Sequence, residues 1–128
     1  MDLAQFLAQF KIENTPDLVE TLQLIEEKYS CKPDGEVVQV LELGESAIYQ
    51  GEPSIRFMGR TEILNADAFL HVDFIDRGLL PLFDLYENDF ICLRTVDKQF
   101  SVFNIIDYTE FYATPALSNL LVKLGFEI

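Results

Sequence analysis

Residues 80–105 read LPLFDLYENDFICLRTVDKQFSVFNI, and the fold turns on how they divide. Three apolar runs, Leu80–Tyr86, Phe90–Thr95 and Gln99–Ile105, are separated by Glu87-Asn88-Asp89 and Val96-Asp97-Lys98. Runs rich in Phe, Ile, Leu and Val suit strands, and short polar connections suit hairpins. The stretch therefore predicts an antiparallel meander. Apolar residues fall on both alternating sets: Phe90 and Cys92 against Ile91 and Leu93, Phe100 and Val102 against Phe103 and Ile105. That pattern predicts a sheet covered on one side and partly covered on the other.

Downstream, Thr114 and Pro115 read as the cap and first residue of a helix with a Leu117, Leu120, Leu121, Leu124 stripe. Gly125 sits where a left-handed residue ends such a helix. Upstream, Thr61 reads as the cap of a short helix through Ile63, Leu64 and Phe69, and residues 70–78 look irregular, with a turn at Asp76-Arg77-Gly78. Ser46–Gln50 and Ser54–Met58 read as strands flanking Gly51-Glu52-Pro53. Residues 36–43, EVVQVLEL, are ambiguous: Glu36, Gln39 and Glu42 recur at helical spacing while the valines suit a strand. The helix is preferred there, from near Asp34 to Gly44. Thr15-Pro16-Asp17 reads as the start of a helix over 16–29, with Leu18, Leu22, Ile25 and Tyr29 on one face. Residues 2–10 place Leu3, Phe6, Leu7 and Phe10 on one stripe behind an Asp2 cap. The expected architecture is one α+β domain over residues 1–128, an antiparallel sheet with helices packed mainly on one face.

The chain has 128 residues, of which 49% are hydrophobic, enough for one core. No apolar run approaches the roughly 18 residues needed to span a bilayer. The N-terminal segment begins with Asp2 and meets its first base at Lys11, unlike a secretion signal. The expectation is a soluble, cytoplasmic protein. Nine Lys and Arg stand against 22 Asp and Glu, for a formal charge of −13. The excess is spread evenly, −7 over residues 1–64 and −6 over residues 65–128. A field of that sign repels nucleic-acid backbones and anionic lipid, so neither is expected as a direct partner. It keeps a protein soluble, and it speeds encounter with a basic protein.

Catalytic patterns are incomplete. His71 is the one histidine, and His71 with Asp73 gives at most two metal ligands where three or four are needed. Cys31 and Cys92 are too few for a thiolate zinc site, and Cys92 lies within a strand, where structural thiols are usual. Gly44-Glu45-Ser46-Ala47-Ile48 begins like a nucleophile elbow but has Ile48 where glycine is required. Asp84, Glu87 and Asp89 cluster at a hairpin without the spacing of a twelve-residue calcium loop. No catalytic residue, metal ligand or cofactor is assigned. The candidate residues form a partner-binding surface instead: Glu45, Asp73, Asp76, Asp84, Tyr86, Glu87, Asp89, Asp107 and Glu110. Tyr49, Phe74, Tyr108 and Tyr112 lie among them in sequence, and tyrosines ringed by carboxylates make binding anchors when exposed.

The run Gly78-Leu79-Leu80-Pro81-Leu82-Phe83-Asp84-Leu85, followed by Asn88-Asp89-Phe90-Ile91-Cys92-Leu93, resembles the SUKH superfamily. That superfamily includes a fungal cell-wall assembly regulator and many bacterial immunity proteins. Lys98–Phe103 resembles its next strand and Leu117–Leu124 its closing helix, whereas Arg94 stands where the family has an acid. The resemblance covers roughly residues 33–124. It implies an α+β fold and a non-catalytic role in binding proteins, with a cognate, often nuclease-type, toxin as partner. A small carboxylate- or metal-dependent hydrolase and a regulatory scaffold are the alternatives.

Overall fold

A computed structural model describes residues 2–12 and 16–128. Asp2 caps α1 (Leu3–Leu7) in a closed capping box: its carboxylate accepts from the Gln5 N–H, and the Gln5 side chain accepts from the Asp2 N–H. Phe10 leaves the expected helical stripe for β1 (Phe10–Lys11), because it pairs with Tyr49. α2 (Leu18–Tyr29) starts later than expected, since Asp17 is its cap and accepts from the Glu20 N–H. The expected cap at Thr15 lies outside the described residues. The ambiguous segment is helical, as preferred: α3 (Glu36–Leu41) buries Val37, Val40 and Leu41.

β2 (Ala47–Tyr49) and β3 (Arg56–Phe57) form a hairpin. The single short helix expected next is two, α4 (Arg60–Leu64) and α5 (Ala66–Leu70), divided at Asn65. Thr61 is not the cap; Gly59 holds that position. Gly59 has φ +89°, and a Cβ on it would lie 2.2 Å from the Ser46 N, so only glycine fits. α6 (Phe74–Arg77) occupies part of the stretch expected to be irregular. The predicted meander is present as β4 (Leu79–Asp84), β5 (Asp89–Arg94) and β6 (Phe100–Asn104), and β7 (Glu110–Thr114) extends it. Thr114 is thus a strand residue rather than a cap. α7 (Leu117–Lys123) ends as expected: Phe126 N–H donates to the Leu121 carbonyl and Gly125 N–H to that of Val122, with Gly125 at φ +96°.

The strands form one antiparallel sheet in the order β1-β2-β3-β4-β5-β6-β7, so each strand pairs with its sequence neighbour. The α+β class and the antiparallel sheet stand. Register assigns the two faces. Phe90, Cys92, Ser101 and Phe103 share one face, and Ile91, Leu93, Phe100 and Val102 share the other. All eight are buried, so β5 and β6 are covered on both sides. On the first face Phe74 of α6 packs edge-on against Phe103, with ring centroids 5.8 Å apart. On the second, Phe83 (opposite Ile91) meets Phe10 and Phe57. There Phe6, Phe10, Tyr49 and Phe126 form an aromatic cluster joining both ends of the chain to β2. The sequence predicts one side only partly covered, whereas over β5 and β6 both sides are buried.

Candidate functional site

The unbroken meander dictates where the turns fall. The β2–β3, β4–β5 and β6–β7 turns must all lie at the same end of the sheet. Residues 50–55, 85–88 and 105–109 form these turns, and they contain Glu52, Glu87 and Asp107 but no Lys or Arg. Asp84 and Asp89 bracket the middle turn.

The second and third of these turns are tied together. Asp84 Oδ1 accepts from the Tyr86 N–H at 2.7 Å, and Tyr86, Glu87 and Asn88 all have left-handed backbones. The Ile105 N–H donates to the Asn88 carbonyl at 3.0 Å, tying the middle turn to the last. Asn104 Nδ2 donates to Asp89 Oδ1 at 2.9 Å across the same pair. Within the last turn Asp107 Oδ1 accepts from the Thr109 N–H and hydroxyl, at 3.0 and 2.7 Å. Those bonds favour the anion and hold the Asp107 carboxyl below the usual aspartate range. Tyr86 is 39% and Tyr108 45% exposed, and Ile106 is exposed beside them. Pro53, Ser54, Leu85, Tyr86 and Glu87 line a shallow hollow of about 450 Å³ between the first two turns.

The nine predicted partner-binding residues do not all gather here. Tyr86, Glu87, Asp89 and Asp107 do, with Asp84 at the base. Asp84 also accepts from Arg56 Nη2 at 3.2 Å, so its carboxylate is partly structural. Glu110, at the start of β7, accepts from Ser101 Oγ at 2.9 Å and pairs with Arg94 Nε at 3.5 Å. Glu45 lies elsewhere and secures α4, accepting from the Thr61 N–H and hydroxyl. Asp73 pairs with Arg77 at 2.7 Å, and the guanidinium holds its carboxyl below the ordinary value. Arg77 in turn lies over the Tyr108 ring, 4.2 Å from its centroid, so α6 flanks the hairpin end with Asp73 and exposed Asp76. Among the aromatic candidates, Tyr49 and Phe74 are buried core residues, not anchors. The sequence reading overlooked Phe111 and Ile106, both exposed.

The charge distribution sharpens this picture. Every arginine is engaged by an internal carboxylate: Arg56 by Glu62 and Asp84, Arg60 by Glu20, Arg77 by Asp73, Arg94 by Asp97 and Glu110. Lys98 pairs with Asp34. Among the described residues no group of three or more His, Cys, Asp or Glu side chains is placed to hold a metal ion. His71 is an exposed left-handed residue ending α5. Cys31 and Cys92 are both buried, and burial pushes both thiols above their ordinary range. Neither is poised as a nucleophile. No described helix is long and apolar enough to cross a membrane. The chain matches no protein-family model, no curated protein and no solved structure.

Proposed function

We propose that this chain is a non-catalytic protein-binding domain of SUKH type that docks a basic partner through the hairpin end of its sheet. The observation that carries the reading is the placement of charge. The arginines are bound to carboxylates of the same chain, including the Arg77 that lies over Tyr108, while three turns at one sheet end carry acids, two exposed tyrosines and no base of their own. Tyrosine contributes rigid apolar area with a polar tip, and the surrounding carboxylates steer a cationic surface onto it. The partner class that suits this best is a nuclease-type toxin. A nuclease must be basic around its substrate groove to hold phosphates, and an acidic domain seated there blocks access. The SUKH reading rests on the sequence resemblance, whose segments fold as β4, β5, β6 and α7.

The test is co-expression with a basic nuclease toxin encoded beside this chain, followed by stopped-flow association of the purified pair. Growth should be rescued, and the association rate should fall about tenfold or more between low and high salt. Glu87→Gln combined with Asp107→Asn should slow association, while Glu26→Gln with Glu27→Gln on α2 should not. Failure to rescue, or an association rate indifferent to salt, refutes the proposal.

A further inference from the structure

The sheet has two edges and treats them differently. β1 is two residues long and includes Lys11. Brevity and lysine are common protections against unwanted strand pairing. β7 runs through Glu110-Phe111-Tyr112-Ala113-Thr114 with neither Lys nor Pro. Among the described residues its one strand neighbour is β6. All but its last residue are exposed, and its outer main chain faces away from the sheet. A bulge opposite Ser101, where Tyr112 has φ +62°, is the one irregularity in its pairing.

The side chains along this edge suit a partner. Phe111 and Tyr112 are 37% and 46% exposed, with their rings edge-on and 5.0 Å apart. α7 packs beside β7 and adds exposed Val122. Lys123 Nζ lies 5.3 Å from the Tyr112 ring centroid, so this ring already serves as a cation acceptor. Asp107 and Glu110 adjoin the start of the strand. A second copy of the chain would bring another −13 against this edge, which opposes self-pairing.

We propose that β7 is a strand-addition edge that takes an extended, lysine- or arginine-bearing segment of a protein partner. The segment's main chain pairs with the outer side of β7. Its apolar side chains rest on Phe111 and Val122, and its cations meet Asp107 beside the start of the strand, since Glu110 is held by Arg94 and the Tyr112 ring by Lys123. The cationic character of the segment rests on the acidic-domain reading above, whereas the edge itself does not.

The probe is a blocked (Val-Lys)4 peptide titrated into the ¹⁵N-labelled full chain, with a copy N-methylated at every residue. The two carry equal charge, but the methylated copy has no main-chain donors. The parent peptide should shift the amides of residues 110–114 and slow their hydrogen exchange. The methylated copy should bind about tenfold more weakly or worse. If both bind equally and shift only residues 85–88 and 105–109, the edge is refuted while the acidic reading stands. If a neutral (Val-Thr)4 peptide pairs with residues 110–114 as tightly as (Val-Lys)4, the cationic partner is refuted. A dimer of the free chain by light scattering, lost on Phe111→Lys, would assign the edge to self-association and overturn the proposal.

Discussion

α7 begins without a cap of its own. Ala116 stands at its N-cap and has no side chain to accept a backbone N–H. The need is met from across the fold: Glu36 Oε1 accepts from the Leu117 N–H at 2.8 Å, and Glu36 Oε2 accepts from Ser118 Oγ at 3.1 Å. The anionic carboxylate also faces the positive end of the α7 dipole. Glu36→Ala removes a charge-assisted cap, a hydroxyl bond and that dipole complement. Losing a cap costs about 1 kcal/mol, and charge-assisted bonds are stronger than neutral ones, so the expected loss is about 2 kcal/mol. Unfolding entropy of about 2.1 cal/mol/K per residue converts this to a fall in Tm of roughly 7 °C for a chain of this length. Urea unfolding followed by circular dichroism measures it, at unchanged m-value. Glu36→Gln keeps one acceptor oxygen and should lose about half as much. Glu36 also lies in the first turn of α3, so Ala116→Asp in the Glu36→Ala background separates the two roles. It gives α7 a local cap and should restore about 1 kcal/mol. A Glu36→Ala variant within about 0.5 kcal/mol of the parent, or no restoration by Ala116→Asp, refutes the long-range cap.

Three further outcomes are expected. Arg56→Met should cost about 2–3 kcal/mol in chemical unfolding, because Glu62 and Asp84, now bound at 2.7 to 3.2 Å, would face each other unpaired. Arg56→Lys, which keeps the charge but loses the fork, should recover part of this. Gly59→Ala should destabilise by about 3 kcal/mol or more, because its methyl would collide with the Ser46 backbone at an unfavourable φ; soluble yield and Tm report it. Stability should decline as pH rises above about 8.5, the unfolded thiol's range. Burial raises the folded pKa of Cys92, so the folded chain keeps a proton that the unfolded chain releases, and alkaline pH favours unfolding. Tyr29, raised chiefly by burial, adds to the decline above about 10. A thiol reagent should label Cys92 only under unfolding conditions, and Cys92→Ala should flatten the alkaline slope.

Several elements were readable because their signals are local. The Asp2 cap, the α2 stripe, the β4–β6 meander and Gly125 each depend on residues within a few positions of one another. Others were not. β7 has no apolar alternation to detect, since it is an exposed edge and becomes a strand by pairing with β6. α6 is four residues long, too short for a helical period to show. Phe10 fits the α1 spacing, yet the chain turns there because Tyr49 supplies a partner. The candidate site divides the same way. Asp84, Glu87 and Asp89 were legible as acids at a hairpin, whereas Asp107 joined a turn only through β7, and Glu45 was indistinguishable from them until Thr61 was seen beside it.

The sign of the surface, the class of the fold and the β2–β3, β4–β5 and β5–β6 hairpins are written in the sequence; the β6–β7 hairpin is not. Charge is a sum, and caps and periods are properties of short windows. The tertiary structure alone decided which carboxylates are already neutralised and which tyrosines meet solvent. Tyr49 and Tyr86 are the same residue type, yet one is enclosed by Phe6, Phe10 and Phe126 and the other stands on a turn. That difference comes from neighbours dozens of residues away, brought into contact by strand order and register, and no short window of sequence contains it.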